Sequence, residues 1–261
     1  MKVKPVLNVA VVQTDIYWEN VTANLASLEE KIAQITEPFD LLVLPEMFNT
    51  GFTMNSKLAE PMNFTTTRWM KQMAKQYNSL VLGSLSVKAD GHLYNRLLGV
   101  FPDTTVQYVD KRHLFRLSSE PEIFSPGSTR LILEWQGWKI CPMICYDLRF
   151  PVWSRNNNIN PYDLLVYVAN WPAVRSFAWS TLLKARAIEN QCFVAGVNRV
   201  GSDANSLEYQ GDSALLNFMG QELVALECQE LIVVESLNYS DLTDFRNQVP
   251  FLMDADPFKL M

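Results

Sequence analysis

The chain has 261 residues, of which 48% are apolar and 19% are charged, a composition typical of a globular protein with one large domain or two modest ones. This composition excludes intrinsic disorder, collagen and coiled coil, and a chain of this length needs no disulfide or metal to be stable. With 22 basic and 28 acidic residues the net charge is −6. No basic patch stands out, which argues against nucleic acid as the main partner.

Apolar runs alternate with amphipathic stretches along the chain, and their spacing predicts strands and helices. The first part of the chain is predicted to form strands at Val6–Val12, Asp40–Leu44, Leu80–Val87, Tyr94–Phe101 and Gln107–Lys111, and helices at Glu19–Ile35 and, with threonine caps, Thr65–Tyr77. The second part is predicted to form strands at Arg130–Trp135, Trp138–Ile144, Asp163–Ala169, Cys192–Asn198, Ala214–Phe218 and Glu222–Leu226, a helix at Val174–Glu189, and closing segments at Ile232–Glu235 and Leu242–Arg246. The dipeptides Asp90–Gly91 and Gln136–Gly137 indicate tight hairpin turns.

Strand–helix units mixed with hairpins predict an α/β fold whose sheets are mixed rather than purely parallel. The sequence contains no linker, repeat or low-complexity tract, so residues 1–261 are expected to form a single domain. The tail at residues 250–261 is too apolar for a free end. It is expected to pack on the body or on another subunit through Phe251, Leu252, Phe258 and Leu260.

The sequence predicts neither a membrane span nor a cleaved signal peptide. Its longest run without Asp, Glu, Lys or Arg is Gln76–Val87, far below the roughly 18 apolar residues of a membrane span. The segment Met1–Gln13 weakly resembles a signal peptide, but Pro5 and Asn8 interrupt its apolar run, which is more typical of a buried strand. A cytoplasmic location is therefore expected.

One of the four cysteines is a candidate nucleophile. Neither CxxC spacing nor clustered histidines accompany Cys141, Cys145, Cys192 and Cys228, so neither a disulfide framework nor a zinc site is expected. Cys145 alone closes a predicted strand and precedes a turn into a short helix. On such an elbow its side chain is expected to be exposed, with adjacent helical N–H groups favouring a thiolate. The alternative is a small buried apolar residue, the role that the other three cysteines are expected to have.

Two further candidates follow predicted strands. Glu46 comes directly after a buried strand, where open α/β sheets place their sites, and either proton transfer or capping suits it. Lys111 lies in a charged cluster that is also typical of a solvated loop. Only two histidines occur: His92 is in a predicted turn, whereas His113 could serve as the base of a papain-like Cys–His pair.

Taken together, Pro-Glu46, Lys111 and Cys145 resemble the Glu–Lys–Cys triad of the nitrilase (carbon–nitrogen hydrolase) superfamily. The surrounding segments match as well: Leu-Pro-Glu-Met-Phe-Asn-Thr-Gly-Phe, Asp-Lys-Arg-His-Leu-Phe, Phe-Ser-Pro-Gly, Cys-Tyr-Asp-Leu-Arg-Phe-Pro-Val-Trp-Ser-Arg, Ala-Asn-Trp-Pro and Lys-Ala-Arg-Ala-Ile-Glu-Asn-Gln. The resemblance runs from the first strand to at least Glu235 and is greatest to the ω-amidase branch, the bacterial-type 2-oxoglutaramate amidases.

This resemblance implies an α-β-β-α sandwich that pairs through its outer helices into a homodimer. It implies an amidase in which Glu46 is the base and Cys145 the nucleophile that forms a thioester. Lys111 and the backbone N–H of Tyr146 would stabilise the oxyanion. No metal or organic cofactor is implied.

The resemblance also implies a second glutamate and an anionic substrate. Glu120 matches the position of that glutamate, and Glu122 is the alternative. The implied ω-amides, 2-oxoglutaramate and 2-oxosuccinamate, carry a remote carboxylate that suits an arginine fork. Arg149 is predicted to bind it, with an internal ion pair to Asp147 or Glu189 as the alternative. Arg175 is predicted to rim the pocket, and three further residues are predicted either to wall it or to belong to the core: Met47, Phe115 and Trp171.

Two other functions stay open on the sequence. A different linear amide, such as deaminated glutathione, a carbamoyl-amine or an aliphatic amide, would use the same triad. A catalytically silent binding or scaffold protein would keep Cys145 inert, although three polar residues in such apolar settings argue against it.

Overall fold

The computed structural model describes residues 3–256 and residue 258. The strands there are β1 Val6–Gln13, β2 Leu41–Val43, β3 Glu60–Pro61, β4 Leu80–Ala89, β5 His92–Val100, β6 Val106–Asp110, β7 Leu133–Trp135, β8 Trp138–Ile144, β9 Leu164–Ala169, β10 Phe193–Asn198, β11 Val200–Ser202, β12 Glu208–Gln210, β13 Ala214–Leu216, β14 Glu222–Ala225 and β15 Leu231–Asn238. The helices are α1 Val21–Ile32, α2 Thr65–Tyr77, α3 Glu120–Ile123, α4 Pro151–Ser154, α5 Ser176–Asn190 and α6 Tyr239–Gln248, with 3-10 turns at Ser56–Leu58, Cys145–Arg149, Ala173–Arg175 and Phe251–Asp254. Within this described part of the chain, no helix has the length and apolarity that crossing a membrane requires.

The strands form two large mixed sheets and a two-stranded ribbon. The first sheet has seven strands in the order β15-β1-β2-β4-β5-β6, with β3 also paired to β4. The second has six strands in the order β14-β13-β10-β9-β8-β7, and β11 pairs with β12 in the ribbon. In each large sheet the central strands are parallel and the flanking pairs antiparallel, as expected from strand–helix units mixed with hairpins.

The layers follow from the alternation of side chains along the strands. Val9 and Val11 of β1 pack with residues of the second sheet, whereas Ala10 and Val12 pack with helices α1 and α2. Helix α5 packs on the second sheet through Leu183. The resulting order of helices, sheet, sheet and helices confirms the predicted α-β-β-α sandwich.

Most predicted elements form with bounds shifted by a few residues, and β8 and α2 have the predicted bounds. Both predicted hairpin turns form, with φ of +50° and +79° at Asp90 and Gly91. The predicted closing segment Leu242–Arg246 lies inside helix α6. The turn into a short helix predicted after Cys145 forms as the 3-10 turn Cys145–Arg149, which α4 follows. Strand β3, the ribbon and helix α3 were not predicted, because elements of two to four residues are too short to show a periodic pattern.

The predicted threonine caps of helix α2 are wrong. The N-cap residue is Phe64, which makes no side-chain capping hydrogen bond. Instead, the buried carboxylate of Glu60 accepts hydrogen bonds from the N–H of Thr66, at 2.8 Å, and from its hydroxyl, at 2.6 Å. A carboxylate suits the positive end of the helix dipole, so a tertiary contact replaces the local cap.

The C-terminal tail is attached to the body at Leu252, which is 6% exposed. Its N–H donates to the side-chain oxygen of Gln191 at 3.3 Å, and the Gln191 amide donates to the carbonyl of Val249 at 2.7 Å. Phe251 and Phe258 are largely exposed. The predicted contact at Leu260 lies outside the described residues.

Candidate active site

Three polar residues predicted from the sequence lie directly after three different strands. Glu46 is in the turn after β2, Lys111 follows β6, and Cys145 begins the 3-10 turn after β8. Strands β2 and β6 run in the same direction within the first sheet, and β8 belongs to the second sheet. The fold therefore brings the carboxyl ends of strands from both sheets to one site, as is common in α/β proteins.

A buried ion-pair network occupies this site. The Lys111 Nζ atom donates to Glu46 Oε1 at 2.9 Å and lies 3.0 Å from each carboxylate oxygen of Glu120. The side chains of both glutamates and of the lysine are at most 1% exposed. An ammonium group has three N–H donors, and here it has three carboxylate-oxygen acceptors, two of which belong to Glu120.

The Glu46 carboxylate has a defined set of donors. Its Oε1 atom accepts from Lys111 and from the side-chain amide of Asn95 at 2.8 Å, and its Oε2 atom accepts from the backbone N–H of Asn170 at 2.9 Å. The Asn170 carbonyl oxygen lies 3.9 Å from Cys145 Sγ. Since a carboxylate offers roughly four acceptor positions, Oε2 keeps one position for a further proton donor near the thiol.

The structure brings Glu120, and not Glu122, to Lys111. Glu120 is fully buried at the start of α3, and its Oε2 atom also accepts from the Phe115 N–H at 2.6 Å. Glu122 is exposed. Of the two glutamates that the sequence left open, helix α3 therefore directs only Glu120 toward Lys111.

Two asparagines that the sequence analysis did not single out complete the network. The Asn95 amide also donates to Glu120 Oε1 at 3.3 Å and so bridges the two glutamates. The side-chain amide of Asn170 donates to the backbone carbonyl of Glu46. The sequence contains two signals that could have identified these residues: an asparagine inside the apolar strand β5, and another in the segment Ala-Asn-Trp-Pro after β9.

The two carboxylates keep Lys111 protonated. Burial acts to lower the pKa of Lys111, but Glu120 and Glu46 outweigh burial, so the pKa of the lysine is raised above its usual value. Burial raises the pKa of Glu120, Lys111 lowers it, and Glu46 raises it further, with a net increase. The site therefore holds one cation between two carboxyl groups with little water to screen them.

Cys145 has the predicted elbow but not the predicted exposure. Its φ angle is +42°, a left-handed conformation that is uncommon outside glycine, and its residue is 8% exposed. Burial, followed by the charge of Glu46, raises the pKa of the Cys145 thiol well above its usual value. The expectation of an exposed residue with a favoured thiolate is wrong, because the loss of hydration outweighs the charge of Lys111.

The other three cysteines lie apart from this network. Cys141 and Cys192 are buried in accordance with prediction, whereas Cys228 is exposed after β14. Burial raises the pKa of the Cys141 thiol to about 12. Among residues 3–256 and 258, no three His, Cys, Asp or Glu side chains converge in a way that could hold a metal ion.

His113 faces Asp147 rather than Cys145. The imidazole Nδ1 lies 2.7 Å from Asp147 Oδ1, which also accepts the His113 backbone N–H at 3.1 Å. The ring is stacked on Phe150, with centroids 3.7 Å apart and planes inclined by 8°. His113 is thus engaged by other groups, and the geometry does not support a papain-like Cys–His pair.

The network opens into a cavity of about 560 Å³. Its lining includes Glu46, Lys111, Cys145 and Tyr146, together with Trp18, Phe52, Phe115, Trp171, Arg149, Arg175 and Tyr209. Met47 does not line it: this residue is fully buried, with φ of +43°, in the turn that carries Glu46, and its N–H donates to Ser84. The interpretation of Met47 as a pocket wall is therefore wrong, and Met47 has the alternative position in the core. The other predicted pocket residues line the cavity.

Two arginines of the cavity stack on aromatic rings. The guanidinium carbon of Arg149 lies 5.0 Å from the ring centroid of Trp171, and that of Arg175 lies 5.4 Å from that of Phe115. Within the part of the chain that the structure describes, neither guanidinium makes an ion pair. The alternative partners of Arg149 are taken, since Asp147 pairs with His113 and Glu189 with Arg186.

Other proteins share the sequence pattern and the fold of this chain. The family model described as carbon-nitrogen hydrolase matches residues 8–247. The chain is 43% identical to the ω-amidase YafV of Escherichia coli K12 over 98% of this chain and 99% of that protein, and 32% identical to the 2-oxoglutaramate amidase of Bacillus subtilis over 94% and 96%. A crystal structure of a CN-hydrolase superfamily protein from Xanthomonas campestris, with an arsenic adduct in its active site, has a TM-score of 0.96 and 41% identity over 98% of this chain and 99% of that one. Given the length and the identity of these matches, the chain belongs to the carbon-nitrogen hydrolase family.

Proposed function

We propose that this enzyme is an ω-amidase, which hydrolyses the terminal amide of small 2-oxo-dicarboxylate monoamides such as 2-oxoglutaramate and 2-oxosuccinamate to the acid and ammonia. The observation that carries the proposal is the buried contact of Glu46 with Lys111 beside the Cys145 thiol. The cavity at this site is lined by two guanidinium groups that make no ion pair among the described residues. The names and near full-length identities of the relatives support the same reaction.

The first step is attack by the thiol on the amide carbon. The resting thiol is neutral, because its pKa is raised, so Glu46 accepts the proton as the C–S bond forms. The carbonyl electron pair moves to the oxygen, giving a tetrahedral oxyanion. The ammonium group of Lys111 and the backbone N–H of Tyr146, in the first turn of the 3-10 segment, are the proposed donors to that oxygen.

The next steps release the two products. Glu46 returns its proton to the nitrogen, the C–N bond breaks, and ammonia leaves a thioester on Cys145. Glu46 then deprotonates a water molecule, whose oxygen attacks the thioester carbon; collapse of this second tetrahedral species frees the acid, and the thiol recovers its proton. Water, substrate and these side chains supply every proton and electron pair, so the reaction requires no cofactor.

Glu120 acts on this chemistry through Lys111. Both of its oxygens lie 3.0 Å from the ammonium nitrogen, and its charge helps to keep the lysine protonated despite burial. Because an oxyanion donor must be preorganised to be effective, we assign Glu120 the role of orienting Lys111.

The remote carboxylate of the substrate is proposed to bind at the two arginines. A guanidinium group matches both oxygens of a carboxylate, and Arg149 and Arg175 face the cavity without an ion-pair partner among the described residues. Stacking on Trp171 and Phe115 restricts their motion, which reduces the entropy lost on binding.

Two further properties belong to the proposal. Pairing of the outer helices into a homodimer is supported by exposed apolar side chains on α5, namely Phe177 at 84% and Ile188 at 56%. A cytoplasmic location is supported by the free thiol that the mechanism requires, since thiols stay reduced there. Sedimentation of the purified protein and fractionation of cells test these two properties.

The experiment that tests the function measures ammonia released from a panel of amides. The panel contains 2-oxoglutaramate, 2-oxosuccinamate, glutamine, deaminated glutathione, a carbamoyl-amine and an uncharged aliphatic amide, with the free acids as blanks. The ω-amides of 2-oxo acids should have the highest kcat/KM. Faster turnover of any other amide would assign a different substrate, and no ammonia from any of them would favour a silent scaffold.

A further inference from the structure

The carboxylate of Asp147 joins the two segments that carry Lys111 and Cys145. Its Oδ1 atom accepts two hydrogen bonds from His113, one from the backbone N–H and one from the imidazole. Its Oδ2 atom accepts the backbone N–H of Ile144 at 3.2 Å. His113 lies two residues after Lys111, and Ile144 and Asp147 lie on either side of Cys145, so one buried carboxylate spans both segments.

These contacts act on a strained position. Cys145 has φ of +42°, and a non-glycine residue keeps such a conformation only where the surrounding structure imposes it. The bond from Ile144 to Asp147 closes the turn around Cys145, and the imidazole fixes the Asp147 carboxylate that accepts this bond. His113 is itself held by its stacking on Phe150, at the end of the same 3-10 turn.

We propose that His113 and Asp147 form a positioning pair, which holds the Cys145 elbow in its left-handed conformation and in register with Lys111. Neither residue lines the cavity, so the pair acts through the thiol and the ammonium group and not on the substrate. The inference rests on Cys145 as the nucleophile, but it does not depend on which amide is hydrolysed.

Substitutions of His113 that preserve or remove one donor test the pair. In His113→Asn the side-chain amide can take the place of the imidazole Nδ1–H, whereas in His113→Gln the amide is one carbon further away, and in His113→Ala it is lost. Because a misplacement of about 1 Å between reacting groups can cost about 10²-fold in rate, kcat should fall about 10–100-fold in the Ala and Gln variants with KM within about threefold. His113→Asn should stay within about threefold of the wild type. His92→Asn, at the other histidine, which is exposed in the β4–β5 hairpin, is the matched control and should leave kcat unchanged.

Alkylation of Cys145 by iodoacetamide gives a readout without substrate. Its rate, measured by mass spectrometry of the Cys145 peptide, should fall in the Ala and Gln variants in parallel with kcat and recover in His113→Asn. If 2-oxoglutaramate proved not to be a substrate, this arm would still report on the elbow, so failure of the proposed function and failure of the pair are distinguishable. Melting temperatures identify any variant that is not folded at the assay temperature.

A double variant tests whether the two residues act as a unit. Asp147→Asn combined with His113→Ala should reduce kcat no more than the more damaging single substitution, because coupled residues are not additive. Multiplicative losses would overturn the pair. So would kcat and alkylation within threefold of the wild type in a folded His113→Gln or His113→Ala variant. If the Ala variant does not fold, the contrast between Asn and Gln carries the test alone.

Discussion

Replacement of Lys111 by methionine removes the single cation of the buried network while keeping much of the side-chain volume. The ammonium nitrogen lies within 3.0 Å of oxygens from both Glu46 and Glu120, so the substitution leaves two buried carboxyl groups without their common partner. Breaking a buried ion pair by removing one member costs about 3–5 kcal/mol. Loss of one oxyanion donor costs about 10²–10³ in rate, and we expect Lys111→Met to lose at least this much.

The loss should fall on kcat, because the contact of Lys111 with the oxyanion exists only once the tetrahedral species forms. The pH dependence should also change. Lys111 lowers the pKa of Glu120, so without it the pKa of Glu120 rises. Glu120 is then protonated at a higher pH than in the wild type, and the acidic limb of the kcat/KM profile should move upwards with it.

Ammonia release from 2-oxoglutaramate measured against substrate concentration separates kcat from KM, and urea titration gives the free energy of unfolding. Lys184→Met is the matched control, because Lys184 pairs with Glu222 at 2.8 Å on the surface, where both side chains are more than 40% exposed. That pair should contribute about 0–1 kcal/mol and nothing to kcat. A Lys111→Met enzyme with normal kcat and raised KM would refute the oxyanion role, and an unfolding free energy within 1 kcal/mol of the wild type would refute the buried-pair argument.

Three other predictions concern the nucleophile, the substrate and alkaline stability. Cys145→Ala should abolish turnover with the fold intact, and the control Cys228→Ala should retain turnover. Wild-type enzyme quenched during turnover should carry an acyl group on the Cys145 peptide alone. Activity of Cys145→Ala within tenfold of the wild type would contradict the thioester. Arg149→Leu should lower kcat/KM for 2-oxoglutaramate about 10–100-fold, the value of one or two charged hydrogen bonds, and should change kcat/KM for an uncharged amide little. The control Arg68→Leu, at an exposed arginine, should change neither value, and an equal loss on both amides in Arg149→Leu would reassign Arg149 to support of the elbow. Burial raises the pKa of Cys141 from 9.0 to about 12, so above pH ~9 the native state keeps a proton that the unfolded state loses. The contribution of Cys141 to the free energy of unfolding is therefore full below pH ~9 and falls by up to about 1.4 kcal/mol per pH unit between 9 and 12. In chemical unfolding, Cys141→Ala should show a shallower decline of the unfolding free energy with pH, and an unchanged slope would contradict the assignment.

Much of the fold and the main site residues could be predicted because they are encoded locally. Period-two runs mark the strands, and the Asp90–Gly91 dipeptide requires the positive φ angles that the turn has. Glu46, Lys111 and Cys145 each come directly after an apolar run, so the sequence indicates that they lie at strand ends. Their mutual contact was an expectation from resemblance, since separations of 65 and 34 residues give no geometry by themselves.

The features that escaped prediction depend on tertiary contacts. Nothing local distinguishes Asn95 from a solvated asparagine, yet it bridges two glutamates because β5 lies beside β6, which leads to Lys111. The exposure expected of Cys145 was wrong for the same reason: an elbow is exposed only if nothing covers it, and the cavity wall covers this one. Such outcomes follow from which elements pack together, which the pattern of one segment does not contain.

For Arg149 the sequence favoured neither a substrate carboxylate nor an internal ion pair, and the contacts in the structure favour the first. An arginine four residues after the nucleophile could equally be an internal partner of Asp147 or Glu189. Asp147 is occupied by His113 and the elbow backbone, and Glu189 by Arg186, so both internal acceptors are already used. Arg149 lines the cavity, rests on Trp171 and makes no ion pair among residues 3–256 and 258, so its charge faces the cavity. An anionic substrate would offer it two aligned hydrogen bonds, and for this reason we propose the carboxylate of the substrate, rather than a carboxylate of the protein, as the partner of Arg149.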